Sequence, residues 1–186
     1  DSSTLTACEG RWEGIKLNPG TELETKNNTN IEHTTTAIEG NRAIVRLNKT
    51  NFKDNVTAVN LINSDVEDCT DIDISEGNYG IRLSNCSSVN LTKVQISKVK
   101  FIGIKADTTS LKLSGCQITG ISNSGGTGIQ AIGTGDVLKM DNDFGANTVS
   151  DWQIGINCLR NNMDLSYVSF TNNFIGVHQS NSPGLK

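Results

Sequence analysis

Aromatic residues and proline are scarce here: two prolines and 5% aromatics in 186 residues. An interior built from ring packing is thereby excluded, and any core must be aliphatic. No run of about 18 apolar residues occurs, so no helix is expected to span a membrane. Five cysteines, Cys8, Cys69, Cys86, Cys116 and Cys158, come without a CxxC pair or a histidine at zinc-ligand spacing. The expectation is single buried thiols inside strands, with at least one left unpaired by the odd count. Cations are not in excess either: 16 Lys and Arg against 20 Asp and Glu give a net charge of −4. That balance opposes attraction to a phosphate backbone, and nucleic acid is not expected as a partner. No charged-then-apolar leader opens the chain, and Asp1 reads as a mature start left by cleavage or as a cut boundary.

What the chain does have is Gly, Asn, Thr and Ser in every gap between short apolar runs. These residues favour turns and weaken helix interiors, which points to many short strands. A small residue followed by a β-branched one recurs at Gly14-Ile15, Ala37-Ile38, Ala58-Val59, Gly80-Ile81, Gly103-Ile104, Gly128-Ile129, Gly155-Ile156 and Gly176-Val177. The spacing is 21 to 27 residues, the mark of a stacked repeat. Two further apolar columns keep step. One runs through Leu23, Leu47, Val66, Leu91, Leu113, Met140 and Leu165; the other through Ile31, Phe52, Ile74, Ile96, Ile118, Phe144 and Phe170. Apolar neighbours two residues apart, as in Ile81/Leu83 and Leu111/Leu113, place both side chains on one strand face.

Three apolar stations per coil predict a right-handed single-stranded parallel β-helix of about eight coils, three short strands each, because one coil alone cannot bury its inward side chains. The whole chain, 1–186, reads as a single domain: 1–13 a lead-in, 14–179 the coils, and 180–186 a C-terminal end read as continuing in a longer chain or abutting a partner. Ile81, Leu91, Ile96, Ile104, Leu113 and Ile118 are expected in interior rows. Extra residues are expected to bulge around 122–126 and 148–153. A leucine-rich repeat matches the period and the pattern Leu91-x-x-Val94-x-Ile96, but it has no place for a third strand.

With its three columns, the repeat resembles the right-handed β-helix, or pectate-lyase-like, superfamily. Phe52-Lys-Asp-Asn55, Phe144-Gly-Ala-Asn147 and Phe170-Thr-Asn-Asn173 resemble the Phe-x-x-Asn turns of bacterial polymorphic surface proteins. The stretch Cys8-Glu-Gly-Arg-Trp12-Glu-Gly-Ile15 is similar to first coils in large cell-surface proteins of gliding and predatory bacteria. The resemblance implies export, to the cell surface or outside the cell, and leaves the activity open.

Lyases on this scaffold combine calcium-binding carboxylates with a Lys or Arg base. The segment 65–76 carries six acids in twelve residues, and Asp71 and Asp73, flanking an inward Ile72, are the calcium candidates. Lys93 is expected one coil above Asp71. The trio suits lyase chemistry, yet equally a surface charge ladder, which is the preferred reading. Hydrolases of the scaffold carry a Gly-His-Gly segment that this chain lacks, and His33 and His178 lie about seven coils apart. No catalytic residue and no organic cofactor is assigned. Trp12 and Trp152 are read as packing residues before sugar platforms. Lys93, Lys98, Lys100 and Lys105 are read as neutralising the acidic coil before binding an anionic polysaccharide. Asn27, Asn48, Asn55, Asn85 and Asn90 head Asn-x-Ser/Thr triplets. The leading expectation is a noncatalytic module of a surface adhesin, fibre or appendage, self-associating or joined to further domains and meeting a cell-surface glycan. A polysaccharide lyase or glycoside hydrolase, or a phage tail spike, is the alternative.

Overall fold

A computed structural model describes residues 2–122, 124–134 and 136–181. Among them eighteen strands and no helix form one sheet, in which a typical strand pairs in parallel with the third before it and the third after it. The result is a β-solenoid of about eight turns, as the three columns require. At about 4.8 Å per coil the rod is about 38 Å long.

The first face holds the small-plus-branched repeat. Ile15 pairs with Ile38, Ile38 with Val59, Val59 with Ile81, Ile81 with Ile104, Ile104 with Ile129, Ile129 with Ile156, and Ile156 with Val177. The small partner has a steric reason. A Cβ on Gly80 would lie 2.3 Å from the carbonyl oxygen of Gly103, and one on Gly103 2.7 Å from that of Gly128. Gly128 and Gly155 repeat the approach at 2.6 Å each, against Gly155 and Gly176. Stacked backbones come too close there for a larger side chain.

The second face corrects the predicted column. Leu23 pairs with Val45 and Val45 with Val66, while Leu47 pairs with Thr25 and Leu91 with Cys69. Leu23 and Val66 therefore share a row through Val45, Leu47 stands outside it, and the register irregularity after Arg46 falls opposite Asp68 at φ 47°. From Leu91 on, the expected order holds through Leu113, Met140 and Leu165. On the third face Ile31, Phe52, Ile74, Ile96 and Ile118 stack as expected, but Val149, not Phe144, pairs with Ile118 and then with Phe170. Phe144 sits in the extra turn 142–146 and is 58% exposed. The second bulge thus lies there, since Asn147–Ser150 is a paired strand. Thr4–Leu5, placed in the lead-in, pairs with Asn30 and Ile31 and extends the third face. Residues 182–186 of the predicted C-terminal end lie outside the described residues. The six residues expected in interior rows are all at most 3% exposed.

Left-handed residues make the corners. Arg42, Asn63, Asn85 and Thr108 follow the first face, Lys49, Asp71 and Lys93 the second, and His33, Asp54, Glu76, Lys98, Asp151 and Asn172 the third, with φ between 48° and 62°. This conformation is costly for side chains with a Cβ. Each first-face corner offsets it by donating its N–H to the next coil, as Arg42 to Ile62, Asn63 to Ser84 and Asn85 to Asp107.

Polar side chains staple the corners from inside. The Asn55 amide oxygen accepts from Thr34 N–H at 2.9 Å and the Thr34 hydroxyl at 2.8 Å, and its NH₂ donates to the Ile31 carbonyl at 2.9 Å. Asn173 repeats the pattern with Trp152 N–H and the Val149 carbonyl, so the Phe-x-x-Asn turns at Phe52 and Phe170 have a mechanism. Asn147 staples a different corner, between Cys116 N–H and the Asp141 carbonyl. Asn55 is 3% exposed, which removes it from the Asn-x-Thr positions open to modification in the folded protein. Asn55→Ala leaves a buried N–H and carbonyl without these partners and is expected to cost about 2–4 kcal/mol, read by thermal or urea unfolding. Asn90→Ala, exposed on the second face, should change little.

Cys69 and Cys158 are buried inside strands, as expected; Cys86 and Cys116 are buried at corners between strands, and Cys8 is exposed outside any strand, which corrects the expectation for these three. Burial pushes the Cys69 thiol up to about 12 and the Cys116 thiol up to about 11. Such groups hold almost no thiolate at neutral pH.

Candidate functional site

Asp71 and Asp73 are exposed on either side of Ile72, itself 1% exposed, as strand alternation requires. With Lys93, Gln95 and Gln117 they line one shallow depression. The three residues grouped by the period thus lie together. Asp71 and Lys93 occupy successive left-handed corners, and no ion pair within 4.0 Å joins them. The expected direct pairing of Lys93 with Asp71 is corrected accordingly. Among the described residues no group of three or more His, Cys, Asp or Glu is placed to hold a metal. Asp71 and Asp73 supply two carboxylates, too few for a calcium shell without other oxygens.

Burial raises the Asp73 carboxyl above its ordinary value. A carboxylate whose folded pKa exceeds its unfolded one lowers stability once ionised, and the deficit vanishes below the unfolded value. Asp73→Asn is therefore expected to raise the melting temperature at neutral pH by about 1 °C, after allowance for solvent screening, and to change nothing near about pH 2.5. Added calcium chloride should not shift the parent's transition. A calcium-dependent rise that Asp73→Asn abolishes would contradict this.

The basic stretch does not stay together. Lys93 stands at the second corner, and Lys98 at the third corner reaches Glu76 at 3.5 Å. Lys105 instead joins the outward row of the first face, directly opposite Arg82. This row runs in register through Lys16, Glu39, Asn60, Arg82, Lys105, Gln130, Asn157 and His178. Beside it, the Arg82 guanidinium lies 5.2 Å from the Tyr79 ring centre, Tyr79 lies 5.6 Å from Phe101, and the Lys100 ammonium lies 5.1 Å from the Phe101 ring.

Two cations elsewhere each bridge a pair of carboxylates. Arg46 bridges Glu22 at 3.2 Å and Glu67 at 2.7 Å, and Lys112 bridges Asp141 at 2.9 Å and Asp143 at 2.8 Å. Burial works to raise the Asp141 carboxyl, but hydrogen bonds from Lys112, Ser114 and the Asp143 N–H hold it below its ordinary value. This clamp ties the turn 142–146 to the preceding coil.

Neither family models nor curated proteins nor solved structures match this chain.

A second cleft opens where the third corner meets the first face, lined by Ser122, Asp151, Trp152, Gln153, Asn172 and Phe174. Trp152 is 2% exposed and packs, as expected; within this cleft Phe174, 82% exposed, is the aromatic offered to solvent. Trp12 is half-buried and donates its indole N–H to the Glu32 carbonyl at 2.9 Å. Sequence reasoning missed Phe174, Tyr79, Arg82 and Phe101. Each stands outside the inward columns, but strand alternation does not bring Tyr79, Arg82 and Phe101 together, which takes the register shift between Gly77 and Tyr79.

Proposed function

We propose that this chain is a noncatalytic extracellular β-solenoid module of a bacterial surface adhesin, fibre or appendage, in which the rod gives rigidity and its flank gives contact. The observation that carries this reading is the unbroken first-face ladder from Ile15 to Val177. It fixes one outward side chain per coil on a hydrogen-bonded scaffold. The resemblance to pectate-lyase-like solenoids of secreted bacterial proteins supports the extracellular placement. Cell-surface glycans, neighbouring domains of a longer chain and further copies are the partners such a rod would meet.

A lyase is the second reading, favoured by Asp71, Asp73 and Lys93 in one depression. Incubation with acidic and neutral polysaccharides, with and without calcium, separates the two through unsaturated-uronate absorbance and reducing ends. Neither signal should rise. A steady increase lost in Asp71→Asn would establish the lyase instead.

A further inference from the structure

We infer that Tyr79, Arg82, Lys100, Phe101 and Lys105 form a binding site for a linear anionic polysaccharide, bearing uronate or sulfate groups, laid along the rod axis. The inference rests on the reading of the chain as a contact module and names the ligand of its flank.

Three observations converge on these residues. The first is unmatched charge. Arg82, Lys100 and Lys105 take part in none of the ion pairs among the described residues; Arg42, Lys49, Lys53, Lys93, Lys139 and Arg160 do not either, but Arg82, Lys100 and Lys105 gather beside one pair of aromatic rings on one flank. Arg82 and Lys105 also stand directly opposite each other in adjacent parallel strands. Like charges so placed repel, and a bound anion removes the repulsion. Asp107 is the one carboxylate in the depression that Arg82 and Lys105 share with Asn60, Ile62 and Ser84.

The second observation is preorganisation. Arg82 and Lys100 rest over the faces of Tyr79 and Phe101, contacts that hold two flexible cations without neutralising them. Phe101, 40% exposed, adds an apolar surface beside the charges, suited to the C–H face of a sugar ring.

The third is the row itself. Beyond Lys105 it continues as Gln130, Asn157 and His178, with His178 Nδ1 3.0 Å from the Asn157 amide oxygen. One polar side chain recurs every coil, about 4.8 Å, close to the length of one pyranose in an extended chain. A polymer along the axis would meet the cations with its acidic groups and the amides with its hydroxyls. A compact anion would use only the first two positions. Nucleic acid fits less well, because the row turns neutral after two cations and the chain carries net charge −4.

The test is titration of the full chain with fluorescent decamers of polygalacturonate and of sulfated dextran, with neutral dextran and a deoxythymidine decamer as controls. The parent should bind the anionic sugars and not the neutral one, with affinity rising from tetramer to decamer. Arg82→Gln with Lys105→Gln should weaken binding about tenfold or more, and Phe101→Ala about threefold. The charge-matched pair Lys53→Gln with Lys139→Gln, both exposed elsewhere, should stay within about twofold. The melting temperature of the Arg82/Lys105 variant should be no lower than the parent's, since like charges are removed. Absence of binding, or equal weakening in the Lys53/Lys139 variant, overturns the site. Equal affinity for the thymidine decamer overturns the sugar assignment. Binding that Arg82→Gln with Lys105→Gln leaves unchanged would refute the patch and leave the module reading standing, whereas release of cleaved products would refute the module reading itself.

Discussion

Ile104→Asp is expected to abolish folding, while Lys105→Asp, one residue along the same strand, leaves a cooperative melt close to the parent's. Ile104 is fully buried between Ile81 and Ile129, and Lys105 points outward beside Arg82. A carboxylate at the first site has no cation or donor within the aliphatic stack, at a cost of several kcal/mol against a net stability of about 5–15. At the second site it meets solvent and the Arg82 guanidinium. Strand alternation makes the contrast sharp, because a slip of one residue exchanges the two environments. The readouts are far-UV circular dichroism and the cooperativity of thermal unfolding. A soluble Ile104→Asp variant with the parent's β spectrum and a cooperative melt would refute the register.

Trp152→Ala should produce the next largest loss, about 3–5 kcal/mol and a fall in melting temperature of about 10 °C. The indole lies in a slot of glycines. A Cβ on Gly103, Gly120, Gly126 or Gly128 would come within 2.7–3.3 Å of it. Its Nε1–H donates to the Ile118 carbonyl at 3.1 Å. Removing the ring leaves a cavity that the stacked backbones cannot close, as well as a carbonyl without that donor. Trp152→Phe, which keeps most of the volume, should lose about half as much. A Trp152→Ala melt within about 2 °C of the parent's would mean that the ring is not the plug of this corner.

The first-face ladder was legible because its two positions are constrained for different reasons. The branched residue fills the interior, and the glycine admits a carbonyl oxygen from the next coil. The second face was misread because polar residues stand inside it. Thr25 is buried in the row of Leu47, its hydroxyl hydrogen-bonded to that of Thr50 at the start of the third face, and Cys69 occupies the row that leads to Leu91. A search for apolar residues passed over Thr25 and set Leu47 against Leu23, two residues out of register. Phe144 failed for the opposite reason: an exposed phenylalanine followed by a structural asparagine, Asn147, imitates the inward Phe-x-x-Asn turn. Hydrophobicity alone does not separate the two. The acidic depression was legible from alternation and period, since Asp71, Asp73 and Lys93 needed only the Ile74–Ile96 alignment. The cationic–aromatic patch was not, because Tyr79 and Phe101 meet only through the irregularity between Gly77 and Tyr79, which one sequence does not display.

Contact along the flank requires one outward side chain per coil, stacked in register. Oxidative cross-linking tests that directly in a Cys8→Ser background, where the buried native thiols stay unreactive. Gln130→Cys with Asn157→Cys places two thiols on adjacent coils, at a Cα separation of about 5 Å that a disulfide spans. Gln130→Cys with His178→Cys places them two coils apart, about 10 Å, beyond reach. The account predicts rapid intramolecular closure of the first pair and none of the second, with both variants folded. Closure of the second pair, or failure of the first to close, would contradict it.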